Sequence, residues 1–448
     1  MKRSDVALVF YSMKNNRYSI NVLVAALEKD DRTPVDVYVV DERRQITLLN
    51  TLQRLRSLYK KIVLAISFLT TQLPFIEKLV DMVKKFLPDI LVIAGGPHAT
   101  GDPLGTITRL KFDYAAIGEG EETIRELAMA LANNSPLEDV CGIAYYDKSL
   151  DKVVINKRST LVNLNDYPPF PYWRGRFNPI EIMRGCPWAC KYCQVSFMFK
   201  AKPRYRDVDV VEYYSRIMLR EGLRDLRFIA PDSFAYMSAD GRKPNPSAIE
   251  ELLERLHKLV QRYKGRIFYG TFPSEVRPNS VDYELARIVR KYVANKSIII
   301  GAQTGSDRLL KLINRGHTVD NIIHAAEALI KAGFRVDVDF IFGLPGETRE
   351  DIEDTLKVIE KLVRIGARIH AHTFMPLPGT PFADAPPGRL EPWLRKRLYL
   401  LLGRGFLYGD WLKQEREAEM IDWYRRAGII FTGKSLSMNT RIRYCGKQ

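Results

Sequence analysis

The sequence predicts an α/β protein built from two alternating arrays. They are a doubly wound domain over residues 1–135, a hairpin and linker over 136–175, a partial (β/α)6 barrel over 176–385 and a helical C-terminal extension over 386–448. Three observations carry this. Short β-rich runs alternate with helix-like stretches through the first ~130 residues, the pattern of a parallel sheet with crossover helices. A turn-rich, proline-rich stretch then interrupts the alternation. It resumes as about six βα repeats, fewer than the eight of a closed barrel.

The first array has strands at "VALVFY" (6–11), "VDVYVV" (35–40), "KIVLAIS" (61–67), "DILVIAGG" (89–96) and "YAAIG" (114–118). In "EGEETIRELAMALA", which follows, Ile124, Leu127, Ala128 and Leu131 share one helical face, and Thr123 with Glu126 has the form of a capping box. Loops after such strands are where open parallel sheets bind ligands. "GIAYYD" and "KVVINK" read as a small hairpin, and "NDYPPFPYW" as a linker. The second array has a strand just before Cys186, then "LRFIAPDSFAY", "RIFYGTFPSEV", "SIIIGAQTGS", "FRVDVDFIFGLPGET" and "ARIHAHTFMPLPGTP". "EPWLRKRLYLLLGRGFLYGDWLKQ" is apolar, aromatic and basic at once. Apolar stripes at helical spacing are core more often than not, so it reads as helix packed on the barrel, with a surface for lipid or a partner as the other reading.

At 46% hydrophobic and 27% charged the composition is that of a globular protein. Lys2 and Arg3 precede only a short strand-like run, and no apolar stretch approaches the roughly 18 residues of a membrane span, so a soluble, cytoplasmic protein without a transmembrane segment is expected. The formal charge of +16 is spread along the chain and interleaved with acidic residues, which leaves a nucleic-acid partner open without favouring it. Five cysteines, three of them within eight positions, argue for reduced thiols over a disulfide framework.

Cys186, Cys190 and Cys193 form a C-x3-C-x2-C run in "RGCPWACKYCQ". Tetrahedral zinc normally takes four protein ligands, and neither Cys141 nor Cys445 sits in a second C-x2-C. A [4Fe-4S] cluster on three thiolates leaves one iron open. Zinc and plainly buried thiols stay as alternatives at this point, and Cys141 and Cys445 read as structural or incidental.

The run, with an aromatic residue before its last cysteine, resembles the signature of the radical S-adenosylmethionine (SAM) enzymes. The resemblance implies that the open iron chelates SAM, and that an electron from the cluster cleaves it to methionine and a 5′-deoxyadenosyl radical. It covers roughly 175–385. By family position it implies SAM contacts from Tyr192, from Pro231, Asp232 and Ser233 in "APDS", from Gln303 and Ser306 in "GAQTGS", from Ile341, Gly343 and Glu347 in "DFIFGLPGET", and from Met375 in "FMPLPGTP". Gln303 stands where the family often has Glu. Glu275 and Arg277, in "GTFPSEVRP", are candidates for catalysis or substrate binding, at the strand end where barrel enzymes place their chemistry.

Residues 1–135 resemble the Rossmann-like cobalamin-binding domain that precedes the barrel in one branch of that family, of which this chain looks like an archaeal-type member with no substrate named by its sequence. The resemblance rests on "VIAGGPHAT" and "DYAAIGEGEET" and implies cobalamin contacts from Gly95, Gly96, Gly118, Glu119 and Gly120. The D-x-H-x-x-G signature is absent, since "DERRQITLL" follows the second strand, and His98 is not expected on cobalt. Methylthiotransferases share a two-domain plan, but here no cysteine precedes Cys141 and the tail does not look like a small RNA-binding barrel. The resemblance thus implies an enzyme that joins a [4Fe-4S] cluster, SAM and cobalamin, methylating an unactivated carbon through methylcobalamin, with a ferredoxin- or flavodoxin-type electron donor and an unknown substrate. Two alternatives stand beside it: radical SAM dehydrogenation, cyclisation or carbon–carbon bond formation with a vestigial cobalamin domain, and a non-enzymatic corrinoid or cluster sensor.

Overall fold

A computed structural model describes residues 4–29, 33–41 and 45–445. The chain forms two compact units: Met1–Asn178 with Leu377–Asp384 and Trp423–Gln448, and Pro179–Pro376 with Ala385–Asp422. No helix among the described residues is long and apolar enough to cross a membrane.

The first unit opens with β1 (Val6–Ser12), β2 (Asp36–Asp41), β3 (Lys61–Ser67), β4 (Leu91–Gly95) and β5 (Tyr114–Ala116). They pair in parallel in the order β2-β1-β3-β4-β5, so the strand order reverses between β1 and β3, where such sheets open a ligand crevice. Helix Glu121–Ala132 buries Ile124, Leu127, Ala128 and Leu131 against Leu8 and Phe10 of β1. The expected capping box is absent. The helix starts at Glu121, two residues before Thr123, with Gly120 at its N-cap, so the Thr123 hydroxyl lies inside its first turn and donates to the Cys141 carbonyl (3.0 Å), while Glu126 binds Arg158.

The hairpin β6 (Ile143–Asp147) and β7 (Lys152–Arg158) does not stand apart with the linker. β6 pairs antiparallel with β5, because its Ile143 and Ala144 are apolar enough to bury beside Ala115 and Ala116. The segment that follows is packed too, with Tyr167 and Phe170 buried.

In the second unit β8 (Ile180–Glu181) and β9 (Met183–Arg184) precede the cysteine loop, and β10 (Arg204–Tyr205) pairs with β9. Five parallel strands follow: β11 (Asp225–Ile229), β12 (Arg266–Phe268), β13 (Ser297–Gln303), β14 (Arg335–Phe342) and β15 (Arg368–Thr373). Pairings β8-β11-β12 and β13-β14-β15 are joined through the bridges Ala230↔Ser274 and Val276↔Ile300, which gives an open arc in chain order. The C-terminal segment adds a seventh short strand, β16 (Leu407–Tyr408), beside β15. The stretch read as purely helical therefore divides. Helix Pro392–Gly403 buries Leu394 and Leu398, β16 buries Leu407, and helix Trp411–Arg426 begins on the buried Trp411. Past Asp422 the chain rejoins the first unit, where β17 (Thr440–Cys445) pairs in parallel with β7. Cys141 and Cys445 meet there in a disulfide with Cα atoms 5.8 Å apart, so for this pair the expectation of reduced thiols does not hold.

Asp351 ties the barrel's fourth and fifth repeats together. It accepts from the Ser306 hydroxyl (2.6 Å), from Arg308, and from the Thr348 amide and hydroxyl at the start of helix Arg349–Arg364. Burial pushes its carboxyl up, but Arg308, Ser306 and Thr348 outweigh burial and hold it well below the usual carboxylate range. A depressed pKa contributes stability that is present above the unfolded value of about 3.9 and is lost as pH falls below it. Asp351→Asn is thus expected to cost about 1–3 kcal/mol at pH 7, with the difference from wild type shrinking on acidification below pH ~4, as checked by urea unfolding across pH.

Candidate active site

The loop after β9 brings Cys186, Cys190 and Cys193 onto one cavity of about 350 Å3, which Tyr192, Pro231, Glu275, Arg277, Gln303 and Arg315 also line. The loop is latched to the turn at 313–316. Lys191 N donates to the Ile313 carbonyl (3.0 Å), and Asn314 Nδ2 donates to the carbonyls of Trp188 (2.8 Å) and Ala189 (3.2 Å). Gly316 has φ +75°, and a Cβ there would lie 2.2 Å from Trp188 Cζ3, so only glycine lets the indole lie over this turn.

Arg277 and Arg315 converge on Cys190, their Nη1 atoms 3.8 and 3.6 Å from its Sγ, and Arg277 also stacks on Trp188 at 4.3 Å. Burial raises the Cys186 thiol and pushes Cys193 up to about 12. At Cys190 burial works the same way, but the charges of Arg315 and Arg277 outweigh it and bring the thiol below its ordinary value. Both arginines are buried, and among the described residues neither makes an ion pair with a carboxylate and the Nε of each lacks a hydrogen-bond partner. Two buried cations with no paired carboxylate, and only the Asp232 and Glu275 charges nearby, are costly. An anionic group carried on three thiolates, such as a [4Fe-4S] cluster, fits this donor set, whereas tetrahedral zinc would lack a fourth ligand here.

The other expected positions divide into two groups. Gln303 faces the cavity from a left-handed backbone (φ +76°). Ile341 is half-buried on β14, and Met375 is half-buried just past β15. Glu347 accepts the Gly343 amide (2.6 Å), with burial pushing its carboxyl up to about 8. Asp232, Ser233 and Ser306 instead spend their polar atoms on the scaffold. Asp232 accepts from Ser280 Oγ (2.6 Å) and the Arg277 amide (3.3 Å), Ser233 donates to the Ser274 and Glu275 carbonyls, and Ser306 caps helix Asp307–Leu312 while donating to Asp351. Glu275 is half-buried in the cavity wall, where desolvation and the Asp339 charge raise it to about 7 against the pull of Arg315 and His370.

The structure adds residues not singled out in the sequence. Besides Arg315, Asp339 on β14 and His370 and His372 on β15 cluster, with His370 Nδ1 2.8 Å from Asp339 Oδ1 and His372 Nε2 3.1 Å from His370 Nδ1. Gln414 Oε1 accepts the Thr373 amide, so its Nε2 donates to His372 Nδ1 (3.1 Å). The His372 proton therefore sits on Nε2, facing the other two groups, which suits proton sharing better than metal ligation. The signal was present: polar residues at every second position in "VDVDF" and "RIHAHT" put one polar face on two strands that otherwise read as apolar.

In the first unit, Gly95 and Gly120 border an apolar cavity of about 40 Å3, roughly the room of one water molecule, between the sheet and helix Glu121–Ala132. A Cβ on Gly95 would meet nothing within 4 Å, whereas one on Gly96 (φ +88°) would lie 2.6 Å from Ser67 Oγ. Gly118 N donates to Thr100 Oγ1 (3.0 Å), and Glu119 accepts the Val162 amide (3.0 Å). The bare backbone edge at Gly95 and the small apolar walls fit close approach by a flat cofactor tail. His98 is fully buried, stacked on Phe68 and bonded to Thr70, and burial lowers it to about 3. Of the histidine-free stretch after β2, residues 42–44 lie outside the described residues.

Known proteins carry the same two parts. A model of the Radical SAM superfamily matches residues 180–359, and one of the B12 binding domain matches 17–128. An uncharacterized protein of Methanocaldococcus jannaschii is 26% identical over 74% of this chain and 72% of its own length. An uncharacterized methyltransferase of Pyrococcus horikoshii is 25% identical over 77% and 73%. The similarity reaches a threonylcarbamoyladenosine tRNA methylthiotransferase of Thermotoga maritima, 24% identical over 67% and 69%. Among solved structures, the radical SAM methyltransferase TsrM of Kitasatospora setae with cobalamin and a [4Fe-4S] cluster bound superposes with a TM-score of 0.65, 17% identity, and coverage of 85% of this chain and 74% of that one. The cobalamin-dependent SAM radical enzyme OxsB with aqua-cobalamin and SAM gives 0.66 at 17% identity over 98% and 64%. At such identities the superpositions speak for the fold, and the two domain matches carry the cofactors. The chain is a radical SAM enzyme with a B12-binding domain, and its cofactors are a [4Fe-4S] cluster, SAM and cobalamin.

Proposed function

We propose that this enzyme methylates an unactivated carbon. The observation that carries the reading is a three-thiol cavity with two buried guanidiniums converging on one of its sulfurs, in the same chain as a B12-binding domain. The methyltransferase names of one relative and of TsrM add support. When bound, the cluster and SAM supply a 5′-deoxyadenosyl radical, and cobalamin supplies a methyl carrier.

In this reading Cys186, Cys190 and Cys193 hold the cluster, and Arg277 and Arg315 balance its charge. Tyr192, Pro231, Gln303, Ile341, Gly343, Glu347 and Met375 form the walls of the SAM site. Asp232, Ser233 and Ser306 keep those walls in place through the bonds described above. Glu275, raised to about 7, can hold or release a proton near neutral pH beside the cavity. Gly95, Gly96, Gly118, Glu119 and Gly120 form the edge that meets cobalamin, and a ferredoxin- or flavodoxin-type protein delivers the electron.

The test is anaerobic reconstitution with iron, sulfide and hydroxocobalamin, followed by measurement of corrinoid per chain and of 5′-deoxyadenosine released from SAM under reduction. Near one corrinoid per chain is expected, with SAM cleavage abolished and iron content reduced in Cys186→Ala. Cleavage by a chain that takes up no corrinoid would sink the methyl-transfer mechanism. Gly95→Ala should leave the fold intact, because a Cβ there meets nothing within 4 Å, and should weaken corrinoid uptake by about tenfold, read from absorbance after desalting.

A further inference from the structure

We infer that Arg277 and Arg315 act as a pair that sets the reduction potential of the cluster, holding it within reach of the electron donor. The inference rests on the assignment of the three cysteines to a [4Fe-4S] cluster. The two side chains come from separate elements, Arg277 from the segment after β12 and Arg315 from the turn after helix Asp307–Leu312, yet both end at one sulfur. They are 2% and 7% exposed, so solvent does little to screen them.

Their other bonds fix them without neutralising them. Arg277 Nη2 donates to the Arg315 carbonyl, and Arg315 Nη2 donates to the Gly301 carbonyl at 2.6 Å. Asp232 sits close by, but its carboxylate accepts the Ser280 hydroxyl and the Arg277 backbone amide, not the guanidinium. Glu181, which also lines the cavity, is occupied by Arg184 at 2.6 Å. What remains is two positive charges aimed at one thiolate, with a buried Nε–H on each still free to donate.

The charge balance gives the direction. An oxidised [4Fe-4S]2+ core on three thiolates carries −1, and one electron from an external one-electron donor takes it to −2. Two fixed positive charges and their N–H donors stabilise the second state more than the first, so they raise the potential. Removing either one makes the cluster harder to reduce.

The experiment uses the full chain, reconstituted anaerobically, with iron and sulfide counted and the midpoint read by a dye-mediated EPR titration of the reduced cluster without SAM. Wild type, Arg277→Gln, Arg315→Gln, Arg277→Lys and Arg315→Lys are compared. Four irons per chain and a midpoint shifted to lower potential are expected in both Gln variants, with Lys restoring much of the shift because it keeps the charge. Intact clusters at the wild-type midpoint in both Gln variants would overturn the inference. If a Gln variant takes up no iron, the Lys variant at that position decides. Loading near the wild-type midpoint supports the role of charge, and failure to load overturns it in favour of a purely shape-dependent role. A wild-type chain that builds no cluster would overturn the cluster assignment and this inference with it, which separates the two failures.

Discussion

Two buried guanidiniums pressed against one thiol are the constraint on which the active-site half of the chain depends. Their placement needs the loop after β9, the segment after β12 and the turn at 313–316 in register at once. Trp188 lies between these elements, stacked on Arg277 and seated over the bare Gly316. Each contact is modest alone. Together they hold three cysteines around one cavity, and the buried positive charge directed at their sulfurs accounts for why that cavity suits an anionic cluster.

The barrel's interior repeats the theme of charge held by a neighbouring strand. Parallel sheets buried on both faces are normally apolar, yet β14 and β15 carry Asp337, Asp339, Arg368, His370 and His372 along one face. Register makes this affordable: Asp337 lies opposite Arg368 and Asp339 opposite His370, so each carboxylate finds its partner one strand away. Tyr408 of the short β16 stacks flat on His370 and closes that row.

Much of this was legible in the sequence, because local periodicity determined it. The five parallel strands of the first unit, the apolar face of Glu121–Ala132 and the six barrel strands follow from alternation and spacing, and the cysteine run from ligand geometry. What escaped depends on partners far along the chain. "TRIRYC" alternates Ile442 and Tyr444 with Arg441 and Arg443, but it is short and β17 is an edge strand with mostly exposed side chains, so no core face marks it, and β16 is only two residues long. Arg315 could not be read because its meaning arises only where it meets Arg277 and Cys190. Asp232, Ser233 and Ser306 were visible as motif residues, but a motif does not say whether a hydroxyl or carboxylate faces a ligand or the backbone behind it. The Thr123 and Glu126 spacing was real, yet the helix is capped three residues earlier, at Gly120, which gave both side chains other partners.

The path of the chain also decides what can be cut out of it. The first unit is discontinuous: its sheet is completed by β17, which pairs with β7 and whose Cys445 is linked to Cys141, just ahead of β6, across a sequence separation of 304 residues. The buried carboxylate of Asp102 accepts an amide from Phe431 as well as from Gly105, and Gly101 lies directly against Pro378. The barrel unit is, in connectivity, an insertion into the B12-binding unit. A contiguous fragment such as 1–178 would therefore bare the edge of β7 and leave Asp102 short of a donor. A single cut therefore cannot release either cofactor-binding part whole, because the first unit draws on both ends of the chain.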